Sequence, residues 1–134
     1  MLTIHSGSDG TALVADGGLI AAVGPLDAVR AAHPGARVRS WPGALRPGLT
    51  HEGELPPAPT PRERVHALLL RGVTAVATAP ADPALRSALD RSGLLPARQA
   101  PPLEPGARAD FAVFDEHGAC LATVVAGRLL HRRA

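Results

Sequence analysis

Short apolar runs broken by glycine, proline and aspartate open and close this chain. Ala12 to Ala15 and Leu19 to Val23 are two such runs, separated by Asp16-Gly17-Gly18. That spacing predicts a β-hairpin, because glycine accepts the positive φ that tight turns require. Leu2 to His5 reads as a further strand ahead of the turn Ser6-Gly-Ser-Asp-Gly10, and Gly24-Pro25 stops the hairpin's second strand. Leu26 to Ala32 combines helix formers with apolar residues at i and i+3, Leu26 and Val29, and His33-Pro34-Gly35 closes it. From Ala36 to Trp41 the pattern alternates. Ala36, Val38 and Ser40 lie on one face and Arg37, Arg39 and Trp41 on the other, as in a half-exposed strand. Near the other end, Phe111 to Phe114, Leu121 to Val125 and Arg128 to His131 predict a three-stranded meander, turned at Glu116-His117-Gly118 and Ala126-Gly127.

The middle has a different rhythm. After a proline-rich linker from Pro56 to Pro61, Thr60-Pro61-Arg62-Glu63 joins a capping box to proline at the first helical position. The helix predicted there runs to about Arg71, with Val65, Leu68 and Leu69 on its apolar face, and Gly72 ends it. Val73 to Thr78 is β-branched enough for a strand, and Asp82-Pro83 starts a helix that Gly93 closes after Ser92. With Ala44 to Leu49 as a strand pairing in parallel with Val73 to Thr78, the order becomes βαβα, the signature of a parallel sheet. Pro96 to Pro105 is a second proline-rich connection, and no internal repeat or low-complexity tract is visible.

Composition narrows the classes. A chain of 134 residues is sized for one domain with one modest core. Aromatic residues make up 2%, so Leu, Val and Ala must build that core, with Trp41, Phe111 and Phe114 as packing anchors. The pI of 9.9 overstates the field, since the net charge is only +2. The basic residues are all arginine and are scattered apart from Arg132 and Arg133, without the stripe or stacking aromatics of a nucleic-acid binder. No apolar run approaches the ~18 residues that span a bilayer, and the N-terminus lacks a signal-peptide pattern. Cys120 is alone, which excludes an internal disulfide and suits a reducing cytoplasm. A soluble cytoplasmic protein without a membrane partner is expected.

Four blocks, taken in order, carry a resemblance: Ala12 to Gly24, Ala44-Leu-Arg-Pro-Gly-Leu49, Pro105 to Asp115, and Val124-Val-Ala-Gly-Arg-Leu-Leu130. Together they resemble the amidohydrolase superfamily, in its imidazolonepropionase and aminodeoxyfutalosine deaminase branch. In that family the outer blocks build one small composite β-domain and a metal-bearing (β/α)8 barrel lies between them. The resemblance implies an α+β fold, with residues 1–49 and 105–134 forming a composite β-sandwich. Residues 50–104 would then be a βαβα remnant of the barrel, about a quarter of it. A whole barrel needs roughly 250 residues and does not fit there.

The resemblance also implies where metal would bind. The family carries His-x-His on the first barrel strand shortly after Pro-Gly-Leu, since imidazoles at i and i+2 share a strand face and one metal ion. Pro47-Gly48-Leu49 is followed by Thr50-His51-Glu52-Gly53-Glu54-Leu55, which places the two ligand positions on Gly53 and Leu55. Neither can ligate, and sliding the register onto His51 leaves Gly53 as its partner. The bridging carbamylated lysine of many binuclear members is also beyond a chain without lysine. No catalytic residue, metal or cofactor is therefore expected. The residues left for an alternative zinc or nickel site are His51, Glu52 and Glu54, with His66 on the following helix.

The other chemistry-bearing residues receive structural readings. His66 is a boundary histidine donating to a backbone carbonyl, His33 and His117 belong to turns, and His5 and His131 would form a packing pair if the terminal strands meet. Cys120 is a small buried core residue, and Asp110 satisfies backbone donors where the chain enters the sheet. A quarter barrel leaves the edge of Val73 to Thr78 unpaired and one face bare, so a homodimer covering that surface is expected. The function expected is that of a barrel-less amidohydrolase relative acting as a binding, regulatory or structural protein. The alternatives are a metal-dependent hydrolase of non-peptide C–N bonds with a rebuilt site, and a small subunit completing a separate barrel chain.

Overall fold

In a computed structural model that describes residues 1–133, the two ends of the chain are woven into one another. Strands β1 (Leu2–Ser6), β2 (Thr11–Asp16), β3 (Leu19–Pro25) and β4 (Arg37–Ser40) form a first sheet in the order β3-β2-β1-β4. The second sheet runs β11-β10-β9-β5, from β5 (Ala44–Pro47), β9 (Phe111–Phe114), β10 (Cys120–Val125) and β11 (Arg128–Arg132). It thus takes one strand from the N-terminal block and three from the C-terminal meander, with Ala44 opposite Phe114 and Pro47 opposite Phe111. The fold is α+β, and its largest part is the composite sandwich that the sequence order implies.

Side-chain alternation explains why β2 and β10 are apolar at almost every position. On β2, Ala12 and Val14 face the helix α1 (Leu26–Ala32) and meet Ile4 and Val29. Leu13 and Ala15 point the other way, into a core shared with Phe111, Val113, Ala122 and Val124 of the second sheet. On β10 the intervening Thr123 and Val125 turn away from that core toward the middle of the chain, where Val125 joins a third core. A strand buried on both faces needs no polar alternation, and each such Leu or Val contributes about 1.5–3 kcal/mol.

That third core belongs to a smaller α/β unit. Strands β6 (Leu49–His51), β7 (Val73–Val76) and β8 (Leu95–Pro96) form a parallel sheet with β7 in the centre. Helix α2 (Pro61–Leu70) starts at Thr60, whose hydroxyl accepts from the Glu63 N–H, which is half of the capping box expected from the sequence, and donates to the Glu63 carboxylate. Helix α3 (Pro83–Ser92) is capped by Asp82 and closed by Gly93 at φ 83°. Val65, Leu68, Leu69, Leu85 and Ala88 pack with Val73, Val76 and Val125.

Three expectations need correction here. Ala44 to Leu49 is two strands, because Gly48 separates β5 in the sandwich from β6 in the parallel sheet. A Cβ at Gly48 would collide with Thr74, so only glycine lets the chain cross between the sheets there. The edge of β7 is not open, since β8 pairs with it, and its residues are all buried. The open edge and bare face from which a second copy was expected are therefore covered within one chain. The outer strands β6 and β8 are only three and two residues long, and Pro96 cannot donate to a ladder, which limits edge pairing.

Candidate functional site

In parallel sheets, ligands gather at the carboxyl ends of the strands, so the end of β6 is where metal chemistry would be sought. His51 is the last residue of β6, and its Nε2 donates to the Glu54 carbonyl oxygen at 2.7 Å. This bond closes a turn through Gly53, whose φ is 81°. Glu52 and Glu54 are exposed. The two positions implied as ligands separate sharply: Gly53 is the turn residue, while Leu55 is 5% exposed in the core beneath α2. Across the same end, the Thr50 hydroxyl accepts from the Ala100 N–H at 3.1 Å, tying down the proline-rich return.

His66 lies exposed on α2, so the expected boundary histidine is a surface one. The pKa of His131 on β11 is lowered first by burial and then by the charge of His66. Among the described residues, no three His, Cys, Asp or Glu side chains stand where they could share a metal ion. His51, Glu52, Glu54 and His66 are not brought together.

The structure instead concentrates buried polar groups where the sandwich is stitched. His5 on β1 does not meet His131, because β1 pairs with β2 and β4 while β11 pairs with β10. Its partner is Trp41, whose Nε1 donates to His5 Nδ1 at 3.2 Å. The Phe111 ring stands edge-on to the imidazole with centroids 4.9 Å apart. Burial, then the Arg39 and Arg37 charges, lowers the His5 pKa to about 4, so the ring is neutral and free to accept. The Arg39 and Arg132 guanidiniums lie 5.3 and 5.9 Å from the Trp41 ring centre, a cation–π arrangement. Trp41 and Phe111 are buried anchors as expected, while Phe114 is only half-buried.

Asp110 takes the structural role expected of it. Fully buried, its Oδ1 accepts from the Ala126 N–H at 2.7 Å and lies 3.0 Å from Arg108 Nε, an ion pair without hydrogen-bond alignment. Burial raises its pKa against the pull of both partners. The Ala126-Gly127 turn so held packs on Gly17-Gly18, and a Cβ at Gly127 would strike the Gly17 carbonyl. The Ala109 N–H donates to Gly18 and the Gly127 N–H to Ala109, at 2.8 and 2.9 Å. Cys120 is half-buried at a β-bulge, not a core residue, with Sγ 3.4 Å from the Ala122 carbonyl. The His5–Trp41 pair was missed in the sequence because the two are 36 residues apart: His5 is on β1, and Trp41 lies just beyond the end of β4 at Ser40.

A composite β-sandwich carrying a short parallel α/β unit is thus the class of structure defined. The sequence model of the imidazolonepropionase-like composite domain of bacteria matches residues 12–36, which span β2, β3, α1 and the turn after it. Among solved structures, the crystal structure of guanine deaminase from Bradyrhizobium japonicum is similar at 20% identity and a TM-score of 0.47. The match covers 62% of this chain and 26% of that one, so the chain spans about a quarter of its length. No curated protein matches. No helix among the described residues is long and apolar enough to cross a membrane.

Proposed function

We propose that the whole chain is an amidohydrolase-type composite domain with a barrel remnant, without hydrolase chemistry of its own, acting as a binding or structural protein. The supporting observation is the fate of the two implied ligand positions, a turn glycine at Gly53 and a core leucine at Leu55. The lone Cys120 supports a reducing cytoplasm as its compartment. Zinc analysis of protein purified without a histidine tag, alongside assays on non-peptide C–N substrates, tests this reading. Substoichiometric zinc and no turnover are expected. One zinc per chain, lost with turnover in His51→Ala, would instead establish the rebuilt hydrolase.

A further inference from the structure

Helices α2 and α3 and strand β11 leave a groove of about 970 Å³ on the outside of the third core. Its floor is apolar, made by Val65, Leu69, Ala88 and Leu130, and the first three are buried from beneath. Its rim is cationic, with Arg62 from α2, Arg91 from the last turn of α3 and Arg128 from the start of β11. Among the described residues the ion pairs are Arg108–Asp110 and His117–Glu116, so none of these three guanidiniums has a carboxylate partner. Glu63 is the one acid in the lining, and its Oε1 already accepts from the Thr60 hydroxyl at 3.0 Å.

Three guanidiniums against one carboxylate leave the rim net positive around an apolar floor. In a space within the ~300–1,000 Å³ range of small-molecule pockets, this calls for an anion with an apolar body. A phosphate is a poorer fit than a carboxylate. The first turn of α2 opens onto the groove, but Pro61 has no N–H and the Glu63 N–H is taken by the Thr60 hydroxyl at 3.1 Å. The backbone cradle that suits a phosphate is therefore incomplete. What remains is the planar guanidinium fork, which matches a carboxylate.

We infer that this groove binds a small amphipathic carboxylate, its apolar body on Leu69, Ala88 and Leu130 and its carboxylate between Arg91 and Arg128. The inference goes beyond the proposed function by naming a ligand class, and it requires no metal. Nothing in it depends on the carboxyl ends of the parallel strands, where His51 lies.

Calorimetric titration of the intact chain with octanoate, octanol and acetate tests it. Octanoate binds saturably, one per chain, and octanol and acetate bind at least about tenfold more weakly, each lacking one of the two contacts. The Arg91→Gln/Arg128→Gln variant weakens octanoate by about 10- to 100-fold, whereas Arg37→Gln on the opposite side of the sandwich leaves it unchanged. Thermal melts of the variants show whether the fold is kept, and Arg128→Glu, a single exposed change in the hairpin, gives the same loss if the double variant folds poorly. Equal binding of octanol and octanoate overturns the inference. So does octanoate binding by both arginine variants at the parent's affinity, or the absence of saturation up to about 10 mM, well above the millimolar end of ligand affinity.

Discussion

The sandwich and the α/β unit bury the same kinds of side chain under different terms. The sandwich has two four-stranded sheets and a core drawn from both ends of the chain, to which the middle contributes only the half-buried Leu103. The α/β unit has three strands of three, four and two residues, and its core is completed by Val125, Ala126 and Leu130 of the sandwich. Dependence runs one way. The core between the two sheets draws almost nothing from the unit, whereas the unit's core has no second wall without β10 and β11. Strands of two to four residues bury little apolar surface of their own, which gives a physical reason for this piece of parallel sheet to stay docked on the sandwich.

The largest expected effects test that one-way dependence. Phe111 is the largest fully buried side chain and sits in the sandwich core, and Leu68, also fully buried, is on the inward face of α2 in the third core. Phe111→Ala should lose about 3–5 kcal/mol and Leu68→Ala about 2–5 kcal/mol. The form of the loss matters more than its size. Trp41, the single tryptophan, reports on the sandwich, and far-UV circular dichroism reports mainly on α2 and α3, ten residues each against seven for α1. In Phe111→Ala both signals fall in one transition. In Leu68→Ala the helical signal falls at lower denaturant than the Trp41 signal, and coincident curves there would mean that the two regions form one cooperative unit.

Local signals carried most of this architecture, and the failures share one cause. Asp16-Gly17-Gly18, Thr60-Pro61 with Glu63, and Asp82-Pro83 with Gly93 each mark a boundary through chemistry within a few residues, and each boundary is where the sequence puts it. Gly48 breaks a run that otherwise reads as one strand, because Thr74, from a different strand, fills the space a side chain would need. The two-residue β8 is too short for any periodicity, yet it turns β7 from an edge into a centre. The candidate ligands failed likewise. His51, Glu52, Glu54 and His66 are close in sequence, but with the Gly53 turn between Glu52 and Glu54 and His66 a turn into α2 no three of them converge on one point. The basic groove was illegible for the converse reason, as its arginines come from three separate elements.

Acid should act on the sandwich before the α/β unit, through His5. Its folded pKa is about 4, against 6.5 for an ordinary histidine. Between those values the unfolded chain binds more protons than the folded one, so stability is complete above about pH 6.5 and declines as the pH falls toward 4. The full difference is on the order of 3 kcal/mol. Asp110 acts in the opposite sense, because a carboxyl with a raised folded pKa gains protons in the folded state first. The difference between parent and His5→Asn therefore isolates the histidine, as the asparagine Oδ1 takes the place of the Nδ1 that accepts from Trp41. Denaturant midpoints read by Trp41 fluorescence at pH 7 and pH 4.5 should drop much further in the parent, and parallel drops would remove His5 as the acid-sensitive group.

Two buried threonines at the joint carry the smallest effects and the sharpest contrast. The Thr123 hydroxyl donates to the Leu69 carbonyl at 2.6 Å, holding the C-terminal turn of α2 against β10. The Thr74 hydroxyl is equally buried beside Gly48 but has no hydrogen-bond partner. Exchange for valine keeps the shape and removes the hydroxyl in both cases. Thr123→Val leaves the Leu69 carbonyl with only the Gly72 N–H, at 3.2 Å, and should cost about 0.5–1.5 kcal/mol, with the helical signal shifting more than the Trp41 signal. Thr74→Val removes an oxygen that is desolvated without compensation, so it should be neutral or stabilise by up to about 1 kcal/mol. Equal losses for the two would mean that Thr74 has a partner in solution, and that the passage between the sheets at Gly48 is held by more than steric fit.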